Sequence, residues 1–168
     1  MPDLGSAPVP AVSDRDHIRG PAGAAVVVEY ADFECPFCVV LHGQLKNRPA
    51  RVAFRYFPVR SSHPRAWAAA CAAEAAARQG RFWDMHDSLF GDQARLEDPH
   101  LWERARALGL DLERFDADRR DELVTARVRA DFQAGVRAGV VTTPTLFIDG
   151  RISAAEEALA MLSDEDRT

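Results

Sequence analysis

Apolar positions change their spacing several times along the chain, and each change marks a different kind of element. Ala24–Tyr30 is a short β-branched apolar run broken only by Glu29, which predicts a buried strand. Arg51–Pro58 alternates polar and apolar and reads as a second strand. Between them a helix is expected to start at Cys35 and Pro36, because Pro favours the first helical turn, and to stop before Pro49. Strand, helix and strand within about 35 residues make a βαβ unit with parallel strands. The spacing then turns helical. Pro64–Gln79 is Ala-rich, with Ser62 or His63 near its cap and Gly80 at its stop. Phe82–Phe90 continues as a second helix, Asp98-Pro99 opens a third that Gly109 closes, and Leu112–Ala117 reads as a short helical turn. Asp121–Ala138 carries Leu123, Val124, Val128, Phe132 and Val136 at helical spacing before Gly139. Leu146–Ile148 is a strand, Asp149-Gly150 a hairpin turn, Arg151-Ile152 the return strand and Ala154–Leu162 a terminal helix. Residues 1–16 are rich in Pro, Ala, Gly and Ser without periodicity and read as a flexible tail, and Asp16–Gly23 as a turn leading into structure. The remainder, 17–168, reads as one α/β domain.

Composition narrows the class. The 168 residues carry 26 acidic and 21 basic side chains, a formal charge of −5, and 47% are hydrophobic. That is ordinary for a globular chain, and the acidic balance argues against a nucleic-acid partner, since phosphate contacts need clustered Lys or Arg. No apolar run approaches the ~20 residues of a membrane span, so no transmembrane segment is expected. The first residues lack a basic and an apolar leader region, so the expected location is cytoplasmic. Three cysteines, Cys35, Cys38 and Cys71, are too few for a disulfide-stapled scaffold.

The chemistry lies in Cys35-Pro36-Phe37-Cys38. A C-x-x-C at a helix start inside a βαβ unit reads as a thioredoxin-like redox pair. At the helix N-terminus, unpaired N–H groups and the helix dipole favour an anion, so the Cys35 thiol is expected to fall below its free pKa of ~8.5. Cys38, almost one turn on and more buried, is placed to attack a mixed disulfide on Cys35. Two other readings stand beside this one. The pair can be half a zinc site, but there is no second C-x-x-C, and His42 brings the ligands to three at most. The pair can also be inert core cysteines, which a Pro between them at a helix start disfavours. Cys71, among alanines, reads as a small core hydrophobe. His63 reads as a cap or turn residue, and His86 as a buried, satisfied ring. Trp67, Phe82, Trp83 and Trp102 read as core or interface positions, and Asp116–Glu122 as a solvated charged face. Thr143-Pro144-Thr145 precedes a strand, where Pro is tolerated because it has no ladder N–H to give. Glu29 has two readings: a buried acid that must be paired or protonated, or an edge residue facing water.

Several segments together resemble the DsbA-like thioredoxin-fold family. They are Val28–Cys38, Phe57-Pro58, His63-Pro64, Ala72-Ala73-Glu74, Gly80–Trp83, Met85-His86, Leu89-Phe90 and Thr143–Arg151, in the family's order from about His17 to Ile152. The branch most similar is the bacterial one found as stand-alone oxidoreductases and as a domain appended to some sodium/proton antiporters. The resemblance implies a thioredoxin fold with a helical insertion, about 62–139, between the N-terminal βαβ unit and the C-terminal ββα unit. It implies a thiol-disulfide oxidoreductase in which Cys35 attacks and Cys38 resolves. A cis Thr143-Pro144 packs beside them, and Glu29 handles the proton of Cys38. Thr143, Pro36 and Phe37 would meet the substrate, a protein or small thiol, and a recycling partner would restore the pair. No metal or organic cofactor is implied beyond the redox-active disulfide, and a monomer or weak dimer is expected. A non-catalytic redox sensor or partner-binding module of the same fold is the alternative. One departure stands out: relatives often carry Gly where this chain has Thr142, which bears on the partner groove.

Overall fold

The computed structural model describes residues 6–164. Five strands form one sheet: β1 (His17–Arg19), β2 (Val26–Ala31), β3 (Arg51–Tyr56), β4 (Thr145–Ile148) and β5 (Arg151–Ser153), in the order β1-β3-β2-β4-β5. Only β2 and β3 run parallel, with Glu29 beside Phe54, because α1 (Pro36–Leu45) crosses between them. β4 lies antiparallel to β2 with Leu146 beside Glu29, and β5 returns from β4 across the Asp149-Gly150 turn. β2 is thus the central strand, and both its neighbours cover its edges.

Alternation along β2 and β3 sends side chains to two different layers. Val27 and Val52 face Leu41 and Leu45 of α1 and Ala158, Leu159 and Leu162 of α7 (Ala155–Asp164). Val28, Tyr30 and Ala53 face the opposite way, against Phe132 of α6 (Glu122–Arg137) and Ala138. The insertion holds α2 (Ala66–Ala77), α3 (Phe82–Gly91), α4 (His100–Ala107), α5 (Leu112–Asp118) and α6. α2 is buried along eight of its positions, seven alanines and Cys71, so its neighbours can approach it closely. α6 reaches the sheet through Gly135, where a Cβ would fall 2.8 Å from the Phe57 ring and 2.9 Å from Tyr30.

Several expectations change. His17–Arg19, expected as a turn, is the edge strand β1, paired to β3 with His17 beside Phe54. It is too short for a period-2 pattern to register. Leu112–Ala117, expected as a short helical turn, lies in the seven-residue helix Leu112–Asp118, capped by the Asp111 carboxylate on the Arg114 N–H. Of the expected tail, residues 1–5 lie outside the described residues, and 6–16 carry no helix or strand, in keeping with their composition, although Pro10, Ala11 and Asp16 are bonded to the sheet. The Arg55 guanidinium, on the sheet, donates to the carbonyls of Pro10 and Ala11 and to both carboxylate oxygens of Asp16. The Asp116–Glu122 face is only partly solvated, because Arg119 is largely buried between Asp98 and Asp116. Among the described residues no helix is long and apolar enough to cross a membrane.

Candidate active site

Cys35 is the N-cap of α1, with extended backbone (φ −74°, ψ 122°), and Pro36 opens the helix. The extended cap lets the chain enter from β2 and puts Cys35 at the end of α1 where the first N–H groups are free of helical partners. Cys35 and Cys38 are both buried free thiols, whereas Phe37 between them is 71% exposed. Cys35 Sγ lies 3.3 Å from the Thr143 carbonyl oxygen, 108 positions away in sequence. The Thr143-Pro144 peptide is cis, as expected from the resemblance. Thr143 is buried, Pro144 half-buried and Thr142 exposed.

The two thiols are driven apart in acidity. Cys35 is lowered to about 5, first by the hydrogen bond from the Cys38 thiol. Thr143 and the N–H groups of Cys38 and Phe37 add to this, and together they outweigh burial. Cys38 is pushed far above the ordinary thiol range by burial, with the neighbouring Cys35 adding to the effect. One sulfur is therefore a thiolate at neutral pH and the other keeps its proton, which is the arrangement an attacking and a resolving thiol need.

Glu29 is a buried residue on the central strand, so the edge reading falls. Burial raises its carboxyl to about 7 against the opposing charge of Arg19, and its Oε1 has no hydrogen-bond partner. Its charge is felt at Cys38. Cys71 lies in α2, buried, with its thiol raised to about 11 by that burial, as a packing residue requires.

Further residues support the cysteine loop, and of these the sequence reading gave a role only to His63, as a cap or turn. The Asp32 carboxylate, buried, accepts from the Glu34 N–H (2.7 Å) and the Val59 N–H (2.8 Å) and lies 2.8 Å from His63 Nδ1. His63 thus ties the loop after β3 to the cysteine loop. Glu34 accepts from the backbone N–H and the Nε of Arg65. Gln93 Nε2, from the insertion, donates to the carbonyls of Phe33 (2.8 Å) and Cys35 (2.9 Å). Local spacing does not reveal these contacts, since their partners, side chain or backbone, lie about 30 to 60 positions away and are brought close only by the fold.

Among the described residues, one group of three metal-type ligands occurs: His42, His86 and Asp87. Arg19 already holds both Asp87 oxygens and His86 Nδ1 lies 2.9 Å from Asp87 Oδ1, so the group is an ion-pair network and does not include the cysteines. His86 is buried, with its Nε2 unpartnered, so the expected satisfied ring is satisfied at one nitrogen only.

Comparison with known proteins places this arrangement. The family model described as thioredoxin matches residues 13–164. A sodium/proton antiporter NhaA 3 of Salinispora tropica is 44% identical over 149 residues, which is 85% of this chain but 23% of the antiporter. An NhaA antiporter of Herminiimonas arsenicoxydans is 42% identical, covering 84% of this chain and 24% of its own length. The chain thus spans about a quarter of the length of these curated relatives. Among solved structures, a thioredoxin-like oxidoreductase from Silicibacter pomeroyi superposes with a TM-score of 0.78 at 24% identity, covering 92% of this chain and 94% of that one. Oxidised BdbD from Bacillus subtilis gives 0.75 at 18% identity, over 98% and 100% of the two chains. The thiol-disulfide exchange protein α-DsbA2 from Wolbachia pipientis gives 0.77 at 16%, over 90% and 88%. With the sheet order, the helical insertion and the family match in agreement, this chain belongs to the thioredoxin family, in its DsbA-like form.

Proposed function

We propose that the protein is a thiol-disulfide oxidoreductase. The observation that carries this reading is the Cys35 thiol at the N-cap of α1, in contact with the Thr143 carbonyl of the cis-proline loop and backed by a protonated Cys38. The Cys35 thiolate attacks a substrate disulfide, forms a new S–S bond and expels one substrate sulfur as a thiolate. Cys38 then gives its proton to Glu29 and attacks Cys35 Sγ, forming the Cys35–Cys38 disulfide and expelling the second substrate sulfur. The reverse sequence oxidises a dithiol. Exposed Phe37, Val40 and Val141 around the buried pair suit a protein substrate that lays an apolar segment beside Thr143 and Pro144. Disulfide and dithiol are the redox cofactor, and a separate thiol or disulfide partner resets the pair.

The direction depends on the compartment. In a reducing compartment the pair stays largely reduced unless its potential is very low, which favours a reductase role, whereas an oxidising compartment favours the reverse. The antiporter relatives favour a second reading, a redox-sensing module acting on a membrane partner. Catalysis separates the two. Cys35→Ser is expected to abolish reduction of insulin disulfides, and Cys38→Ser to accumulate mixed disulfides with substrate. Wild-type turnover that survives in Cys35→Ser sinks the enzyme reading. A wild-type protein that forms the Cys35–Cys38 disulfide reversibly but turns over no disulfide substrate favours the sensor.

A further inference from the structure

The loop between α3 and α4 sends one side chain into the active site, and the fold goes to some length to aim it. Arg104 of α4 donates to the carbonyls of Asp92 (2.7 Å) and Arg95 (2.9 Å), as well as to the Ser88 carbonyl and hydroxyl. Arg65 donates to the carbonyl of Ala94 (3.0 Å). Backbone groups on both sides of Gln93 are therefore clamped by guanidinium groups. The amide of Gln93 spends its two hydrogens on the carbonyls of Phe33 and Cys35.

The Cys35 carbonyl has a second suitor. It also accepts the Cys38 N–H, at 3.2 Å. That same N–H, at the start of α1, is also among the groups that lower the Cys35 thiol. The Cys38 N–H is thus bonded to a carbonyl oxygen while it also favours the charge on the neighbouring sulfur. A carbonyl oxygen already supplied by an amide donor competes less for a second one. We propose that Gln93 is a positioning residue for the exchange reaction: by satisfying the Cys35 carbonyl it leaves the Cys38 N–H to the Cys35 thiolate, and so sets how acidic and how oxidising the pair is. Gln93 touches no substrate atom. It acts through the backbone of the N-cap, and it makes the helical insertion a determinant of redox chemistry as well as a cover for the core. The inference rests on the oxidoreductase reading above.

The test compares wild-type protein with Gln93→Met, which keeps the length and removes both donors, and Gln93→His, which returns one N–H. The pH dependence of Cys35 alkylation, followed by mass spectrometry, reads its acidity, and equilibration with glutathione reads the redox balance. In Gln93→Met the Cys35 pKa is expected to rise by about one unit and the glutathione equilibrium to move about tenfold toward the Cys35–Cys38 disulfide. Gln93→His is expected to fall between. A folded Gln93→Met with wild-type acidity overturns the inference, whatever its melting temperature, because a merely structural role would lower stability and leave the pKa alone. If Gln93→Met fails to fold, Gln93→His decides: wild-type acidity there overturns the inference, and a raised pKa upholds it. A wild-type protein without exchange activity and with an ordinary Cys35 pKa sinks the oxidoreductase reading itself, a result distinct from either.

Discussion

Two sulfur atoms three positions apart end with opposite protonation because their surroundings differ within a few ångströms. Cys35 has the N–H groups at the start of α1, the Cys38 thiol and Thr143 within reach, whereas Cys38 lies behind it with burial as the governing influence. Glu29 completes this asymmetry, since a carboxyl raised to about 7 can both take a proton and return one near neutral pH. We expect Glu29→Gln to slow resolution of the mixed disulfide by about a hundredfold, the usual scale for a lost general base, while the first attack by Cys35 is nearly unchanged. Stopped-flow kinetics with a disulfide peptide separates the two steps, and equal slowing of both would count against a role at Cys38. Cys71 is expected to behave differently. Its raised pKa and its place among the alanines of α2 predict that Cys71→Ala leaves exchange rates at wild-type level, as an insulin-reduction assay would show.

At the scale of elements, short approaches hold the layers together. Gly135 lets α6 lie against Phe57 and Tyr30, so Gly135→Ala must push two aromatic rings that are themselves packed. A cost of about 1 to 3 kcal/mol is expected from overpacking, measurable by urea unfolding, and a neutral result would show that the rings can yield. The N-terminal segment is joined to the sheet by Arg55 and Asp16, whose side chains are both about 5% exposed. Asp16 stays ionised against the cost of burial because Arg55 bonds both its oxygens. Removing one partner strands the other, so Arg55→Met is expected to lower stability by about 3 to 5 kcal/mol. A loss below about 1 kcal/mol, the range of an exposed pair, would mean that this segment is not part of the folded unit.

For the whole molecule, two buried groups tilt the stability-against-pH curve in opposite directions. Glu29 is raised from 4.5 to about 7, so the native state holds a proton that the unfolded chain has lost, and stability falls as pH rises through that window. His86 is lowered from 6.5 to about 4 by burial, so the unfolded chain takes up a proton that the native state refuses, and stability falls as pH drops from 6.5 toward 4. Each group is worth about 3 kcal/mol at full effect, and their windows overlap. Relative to wild type, Glu29→Gln is expected to become progressively more stable as pH rises from 4.5 to 7. His86→Phe is expected to become progressively more stable as pH falls from 6.5 to 4. Urea unfolding at pH 4.5, 5.5, 6.5 and 7.5 would show both tilts. Parallel curves for variant and wild type would mean that the two groups titrate alike in the folded and unfolded chains.

What was legible in the sequence is what local spacing can carry. The βαβ unit, the helical insertion, the Asp149-Gly150 hairpin and the Cys35–Cys38 pair each depend on residues a few positions apart, and a proline at a helix start or a glycine at its end acts within one turn. Even Thr143 and Pro144 were marked in this way, although their nearness to Cys35 came only from the family resemblance and not from spacing. Long-range contact decided the rest. β1 is a strand only because β3 offers it an edge, Glu29 is buried only because β3 and β4 close on both sides of β2, and the segment before His17 is held only because Arg55 reaches it. Gln93 bonds the carbonyls of Phe33 and Cys35 across about 60 positions of chain, by backbone atoms that every residue possesses. Side-chain chemistry is written residue by residue, whereas the choice of backbone partner belongs to the tertiary structure, and in this protein the acidity of Cys35 depends on both.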